Sequence, residues 1–517
     1  MEALILTRVV EANQDLPGLK YELERFRLGG AFQLREDERV IGTLGPGQVS
    51  FDVAYSKLIF SCWDEGWSKS WRVVSGEVDK SRLRLACTKK MGLTSCTLEL
   101  RRAELDEYET VTLSSSAAIK QLIESNLAGV TVTKVLSGAD PARGLSGCYK
   151  RLIIKHQGAR PGTISAAITL AGRDQTAVDG LLAAGLVWVD VLRTSGQWVS
   201  GLFIFAPYGQ AVTIASRLTM MESAPVPVRL YELDEESGTI SAMSPFDQGD
   251  LSDNLRKAAE RVVWPDEILH RPETNQLAES VVAIAPEFIK IRVKEGGVSL
   301  SIRGLEFAHL SNGEASSGGG RLYFGLGAER TRLVPGKERA LRDLVWKIVS
   351  ERAPFSENRN GDLYRAQSER WLESIVETDA SAIDPNLDPD RVYSQVPAYR
   401  GDRRTYIDLL AVTRAGRLVV IELKTAEDPE FPLQGLDYWL RVNWHARRGD
   451  FERRGYFRGV RLSPEPPLLY LVAPIFRFHA TTRLLGGTFS KEVPVYRIGI
   501  NEDWRAGIRV LMRERLN

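Results

Sequence analysis

Asp408, Glu422 and Lys424 are the residues of this chain whose types and spacing best suit them to do chemistry. Asp408 lies in a short apolar run, 406–412, and Glu422 and Lys424 close a second one that begins at Leu418. The turn-like Arg414-Ala415-Gly416 between the runs predicts a β-hairpin. Side chains alternate across a strand, so Glu422 and Lys424 must project from one face. A carboxylate and an ammonium on an apolar strand are costly unless they serve something. A divalent cation and a scissile phosphate would use both, and Asp408 on the neighbouring strand can supply a second carboxylate.

Two further motifs flank the hairpin. Downstream comes Gln434-Gly435-Leu436-Asp437-Tyr438, whose Gln and Tyr lie one helical turn apart. Upstream is the helical run 361–373, which carries Glu369 and Glu373. Acidic helix, strand, Asp strand, Glu-x-Lys strand and Gln helix follow one another in an order that resembles the PD-(D/E)XK nuclease superfamily. The Gln434/Tyr438 pair is similar to the QxxxY motif of its RecB-like branch. The resemblance covers residues 337–517, about a third of the chain. Ile407 stands where the superfamily's name has Pro, and Arg365 is nearest to the place where many RecB-like members carry His.

The resemblance implies a metal-dependent deoxyribonuclease that hydrolyses phosphodiester bonds with Mg2+ (or Mn2+). Asp408, Glu422 and the carbonyl of Leu423 would hold the cation. Lys424 would orient water or stabilise phosphate charge. Its ionisation is set by opposing effects, because burial lowers an ammonium pKa and neighbouring carboxylates raise it. Glu369 is the expected upstream acid, with Glu373 one turn on as the alternative. Gln434 would contact the ligands or the substrate, and Tyr438 the phosphate. An RNA-directed nuclease, an effector-gated nuclease and a non-catalytic nucleic-acid-binding protein remain as alternatives.

The expected nucleic-acid surface follows the Gln motif. Arg441, Arg447, Arg448, Arg453, Arg454, Arg458 and Arg461 crowd a short stretch opposed only by Asp450 and Glu452. Trp444, His445, Tyr456 and Phe457 are interleaved with them. Guanidinium groups suit phosphate oxygens and flat rings suit unstacked bases. With 68 basic against 67 acidic residues the whole chain shows no such bias, so a basic surface must be local.

The elements that position these residues read as α/β. A helix is expected over 364–377, strands at 391–399, 405–412 and 417–424, a helix over 433–446, then a strand, a short helix and a strand reaching 500. Residues 117–233 repeat that order. Leu202-Phe203-Ile204-Phe205-Ala206-Pro207 resembles Leu469-Tyr470-Leu471-Val472-Ala473-Pro474, and each leads to a Val-Pro-Val at 226 and 493. This predicts an internal duplication. The fold class is therefore α/β, with two restriction-endonuclease-like αβββαβ units and small β-rich modules. The first unit would be degenerate, since Arg151 falls at the Asp408 position and Ala166–Leu170 offers no carboxylate or lysine.

The expected divisions are a β-rich domain at 1–110, the degenerate unit at 111–240, a connecting helix (251–263) and β module at 241–336, and the nuclease domain at 337–517. Trp63, Trp67 and Trp71 in the first of these could pack a core or offer a base-stacking platform.

Composition excludes other classes. Hydrophobic residues at 43% and charged ones at 26% are those of a globular protein, with no run long enough to span a bilayer. Four dispersed Cys and five His argue for reduced thiols rather than a zinc or iron–sulfur site, and for a cytoplasmic location. No P-loop, HExxH or nucleophile elbow is present. One active site per chain would nick or trim, and cutting both strands would call for a homodimer.

Overall fold

A computed structural model describes residues 8–11, 32–102, 116–243 and 272–517, apart from 312–320 and interruptions of at most four residues, together with Leu19, Lys20, Leu23 and Phe26. The expected helix at 251–263 lies outside the described residues. The chain divides into two compact units, Met1–Gln248 and Gly249–Asn517.

In the first unit, eight antiparallel strands between Arg8–Glu11 and Thr94–Arg102 form one sheet. Its core is dense in Leu and Phe, and Trp71 belongs to it: the indole stacks on Phe60 and its N–H donates to Glu36 Oε1 at 2.8 Å. Trp71 is thus a core residue on the strand Trp67–Val78. The side chains of Trp63 and Trp67 lie outside the described residues. A second, six-stranded sheet in this unit runs in chain order from Val130–Leu136 to Thr239–Met243. Its third, fourth and fifth strands are parallel and the remaining pairs antiparallel.

In the second unit, a five-stranded antiparallel sheet spans Ile289–Lys294 to Glu329–Arg332. It shares a core with the helices Pro272–Val282 and Glu338–Glu351. The final sheet has six strands in chain order: Leu387–Arg400, Arg403–Thr413, Leu418–Leu423, Leu468–Pro474, Val495–Ile500 and Val510–Arg515. Again the third to fifth are parallel and the others antiparallel.

Helices cover both faces of this final sheet. Leu409, Ala411, Val419, Ile421 and Leu423 project to one side and pack against Trp371, Leu372 and Val376 of the helix Ser368–Thr378. On the other side the helix Phe431–Arg447 approaches so closely at Gly435 that a Cβ there would lie 2.8 Å from Leu471 Cδ2. Gly435 therefore sets how near the Gln-bearing helix can come to the strand beside Glu422.

Two expectations change. The helix foreseen over 364–377 is interrupted: Asp362–Arg365 ends, Gln367 takes a left-handed φ of 45°, and a new helix starts at Ser368. A last strand, Val510–Arg515, was not foreseen. Its alternation of half-buried and exposed residues fits an edge strand, but the run Val-Leu-Met-Arg-Glu-Arg hides that period. Among the described residues no helix is long and apolar enough to cross a membrane.

Candidate nuclease site

The site forms where two strands part. Arg403–Thr413 pairs with Leu418–Leu423 from Val412↔Leu418 to Leu409↔Ile421, and the ladder stops there. One step further the same register would set Asp408 opposite Glu422, and directly opposed residues share a face. Asp408 continues to follow its other neighbour, Leu387–Arg400, whose pairing extends to Arg400↔Arg403. The cleft so opened leaves the Leu423 amide without a ladder partner on that side, and Asp408 Oδ2 accepts it at 2.9 Å.

Glu422 is buried, and its Oε2 has no hydrogen-bond partner. Its other oxygen lies 3.7 Å from Lys424 Nζ, which also stands 3.8 Å from Asp428 Oδ2. Asp428 in turn accepts from Gln434 Nε2 at 3.2 Å. Asp408, Glu422, Lys424, Asp428 and Gln434 are thus one connected group. Gln434 spends its amide on Asp428, a residue outside the motifs recognised in the sequence.

Charge in the group is poised. Burial pushes the Asp408 carboxyl up to about 6, against the pull of the Leu423 amide and of Lys424. Burial and then repulsion from Asp408 raise Glu422 well above the ordinary carboxylate range. Burial alone would lower Lys424, but Glu422, Glu369, Asp428 and Asp408 together outweigh it and keep the ammonium above its usual value. Burial, then the charges of Glu422 and Asp408, raise Tyr438, so its hydroxyl stays protonated beside the carboxylates. A buried Glu422 with an unpartnered oxygen and a half-buried Asp408 that repels it form an environment that a hard cation would relieve.

The two upstream acids occupy different environments. Glu369 is half-buried, and its charge is felt by Asp408, Glu422 and Lys424. Glu373 has a side chain only 1% exposed and is held by three partners. Arg370 Nη1 donates to its Oε2 at 2.9 Å, Gln395 Nε2 donates to the same oxygen at 2.7 Å, and Arg292 Nη1 lies 3.0 Å from Oε1. Burial raises Glu373 to about 8 despite the two guanidinium groups. Among the described residues, no three His, Cys, Asp or Glu side chains converge as a ready-made metal cluster. A Mg2+ site of one or two carboxylates completed by water and phosphate oxygens does not need three.

The basic stretch divides. Arg447, Arg448, Arg453, Arg458 and Arg461 are exposed, while Arg441 bonds back to the Asp437 carbonyl at 3.1 Å. Arg448 lies over the Trp444 ring at 4.5 Å. The idea that Tyr456 and Phe457 offer stacking surfaces is corrected. Both are buried, in an aromatic cluster with Tyr393 and Phe451. A ring already packed edge-on inside the protein cannot receive a base.

No protein-family model matches the chain, and no curated protein matches it in sequence. Among solved structures, that of an EndoMS–dsDNA complex is similar over 45% of this chain and 99% of its own, at 15% identity and a TM-score of 0.17. A likeness so slight adds nothing to the site geometry. The resemblance to PD-(D/E)XK nucleases rests on the motif residues and on the αβββαβ order of the sheet that carries them.

Proposed function

We propose that the C-terminal sheet carries a metal-dependent nuclease that hydrolyses phosphodiester bonds, with DNA as its substrate. The observation that carries this reading is the facing of Asp408 and Glu422 where their strands separate, with Lys424 beside them. Asp408, Glu422 and the Leu423 carbonyl would hold Mg2+ or Mn2+. Such a cation, when bound, activates water and neutralises the phosphate and the leaving oxygen. Lys424, kept protonated by its carboxylate neighbours, acts as a fixed positive charge toward the phosphate rather than as a base. Tyr438, whose hydroxyl stays protonated, would donate a hydrogen bond to a phosphate oxygen, and Glu369 lends further negative charge at the cleft. Gln434 orders Asp428 and through it Lys424. The exposed arginines from Arg447 to Arg458 track the phosphate backbone.

We also read the middle sheet as a degenerate copy of this unit. Arg151 pairs with Ile168 at the step where Asp408 would meet Glu422. Leu202 pairs with Val228 as Leu469 pairs with Val495. Gly185 lets a helix close on Leu202, as Gly435 does on Leu469. Where the acidic pair would stand, Arg151 lies over the Trp188 ring at 5.6 Å. A guanidinium in place of a carboxylate leaves that copy no way to hold a cation.

The test is a substrate panel. Duplex DNA, single-stranded DNA and RNA are incubated with Mg2+, Mn2+ or EDTA. The expected result is cleavage of DNA that EDTA abolishes. RNA cleaved in preference to DNA would redirect the substrate, and binding without metal-dependent turnover would remove the enzymatic reading.

A further inference from the structure

The acidic helix Ser368–Thr378 is gripped from the five-stranded sheet that precedes the nuclease sheet. On the strand Ile289–Lys294, Lys290 and Arg292 point to one side. Lys290 Nζ reaches the Ser374 carbonyl at 3.2 Å and also meets Thr378 Oγ1. Arg292 straddles two carboxylates one turn apart, with Nη1 3.0 Å from Glu373 Oε1 and Nη2 2.7 Å from Glu377 Oε2. Glu377 also accepts from Ser394 Oγ. Each carboxylate therefore joins Arg292 to the strand next to Asp408: Glu377 through Ser394, Glu373 through Gln395.

Gln395 is the unusual link. It has a left-handed φ of 54°, costly for a residue with a Cβ. It stands between the pairs Ser394↔Leu409 and Val396↔Ile407, opposite Asp408. Such a conformation persists only when its surroundings enforce it, and the Gln395 amide is tied to Glu373 at 2.7 Å.

We propose that Arg292 is a positioning residue of the active site: by clamping Glu373 and Glu377 it holds the turn at Gln395, and that turn sets where Asp408 presents its carboxylate. The β module at 289–332 then belongs to the catalytic unit instead of being a separate attachment. The inference rests on the metal-nuclease reading above and makes a statement that can fail independently of it.

The experiment uses the full-length protein with Arg292→Met, Arg292→Lys and the neutral pair Arg292→Met/Glu373→Gln. It measures Mn2+ binding by calorimetry, steady-state cleavage of DNA, and melting temperature. Arg292→Met is expected to bind Mn2+ roughly 10–100-fold more weakly, the usual cost of removing a group that orients a ligand. Its kcat should fall by a similar factor while KM for DNA changes little, and Arg292→Lys should recover most of both. If Arg292→Met does not fold, the neutral pair decides, since it removes the deeply buried Glu373 charge together with its cation and leaves only the less buried Glu377. Loss of Mn2+ affinity in the pair at a wild-type melting temperature supports the proposal. Wild-type Mn2+ binding in a folded Arg292→Met, or in the pair, overturns it. Cleavage by the wild type with Arg292→Met unaffected would leave the nuclease reading standing and remove this inference. Weakened Mn2+ binding in a protein that cuts nothing would do the reverse.

Discussion

Asp408 Oδ2 accepts the backbone amide of Leu423 at 2.9 Å, so a side chain takes over a ladder position at the point where two strands separate. The bond anchors one carboxylate against the strand that bears the other. It also makes the pair a liability for the fold, because Glu422 is buried and Asp408 half-buried, and the cation nearest Glu422 is Lys424 at 3.7 Å.

A pH dependence of stability follows. In the unfolded chain these carboxyls ionise near pH 4. In the fold Asp408 is raised to about 6 and Glu422 is raised well above its normal range. An acid raised by folding contributes its stability below the unfolded pKa and loses it as pH rises through the folded one. Each unit of such a shift is worth about 1.4 kcal/mol. Without divalent cation, the wild type should therefore lose melting temperature between pH 4 and pH 7 relative to Glu422→Gln, and Mn2+ should restore it. Parallel melting curves for the two proteins across that range would count against the buried pair.

Lys424→Ala should slow cleavage roughly 10²–10³-fold, the loss usual for removing one charge-stabilising group. The variant is expected to stay folded, since the ammonium is partly exposed and pairs through distances of 3.7 and 3.8 Å. Single-turnover rates at saturating metal measure the effect, and a rate within threefold of wild type would remove Lys424 from the chemistry.

The hairpin turn is a second point of sensitivity. Gly416 has φ +85°, and a Cβ there would lie 2.2 Å from the Arg461 carbonyl oxygen. A backbone carbonyl cannot yield as a flexible side-chain end would, so Gly416→Ala should cost about 1–3 kcal/mol. Denaturant unfolding checks this, and an unchanged midpoint would show that the turn adapts.

Much of the site was legible because it is local. The hairpin at 406–424 needs only alternating apolar residues and a Gly-containing turn, and Glu422 with Lys424 fixes their shared face. The Gln helix was legible from its apolar spacing, and it begins at Phe431, two residues before the expected start. What the sequence could not reveal depends on distant partners. Nothing near Arg292 announces that it meets Glu373, and nothing near Gln395 announces a left-handed turn. Gln367 broke the acidic helix without a Gly or Pro to signal it. Tyr456 and Phe457 follow no helical or strand period, so their burial against Tyr393 was invisible and their interleaving with arginines suggested a surface instead.

That last contrast gives another prediction. Reversing Arg447, Arg453 and Arg458 to Glu should weaken DNA binding and flatten its salt dependence, with the log–log slope falling by about 0.9 for each phosphate that is no longer neutralised. Phe457→Ala, at a site 1% exposed, should instead destabilise the fold by about 3–5 kcal/mol. Filter binding across a salt series and thermal melts separate the two effects. Unaltered salt dependence in the triple reversal would move the nucleic-acid path elsewhere.

The most direct test of the account is electron paramagnetic resonance of bound Mn2+ in the wild type, Asp408→Asn and Glu422→Gln. The account predicts a bound-ion signal in the wild type that either substitution removes. A signal of undiminished strength in both variants would contradict it.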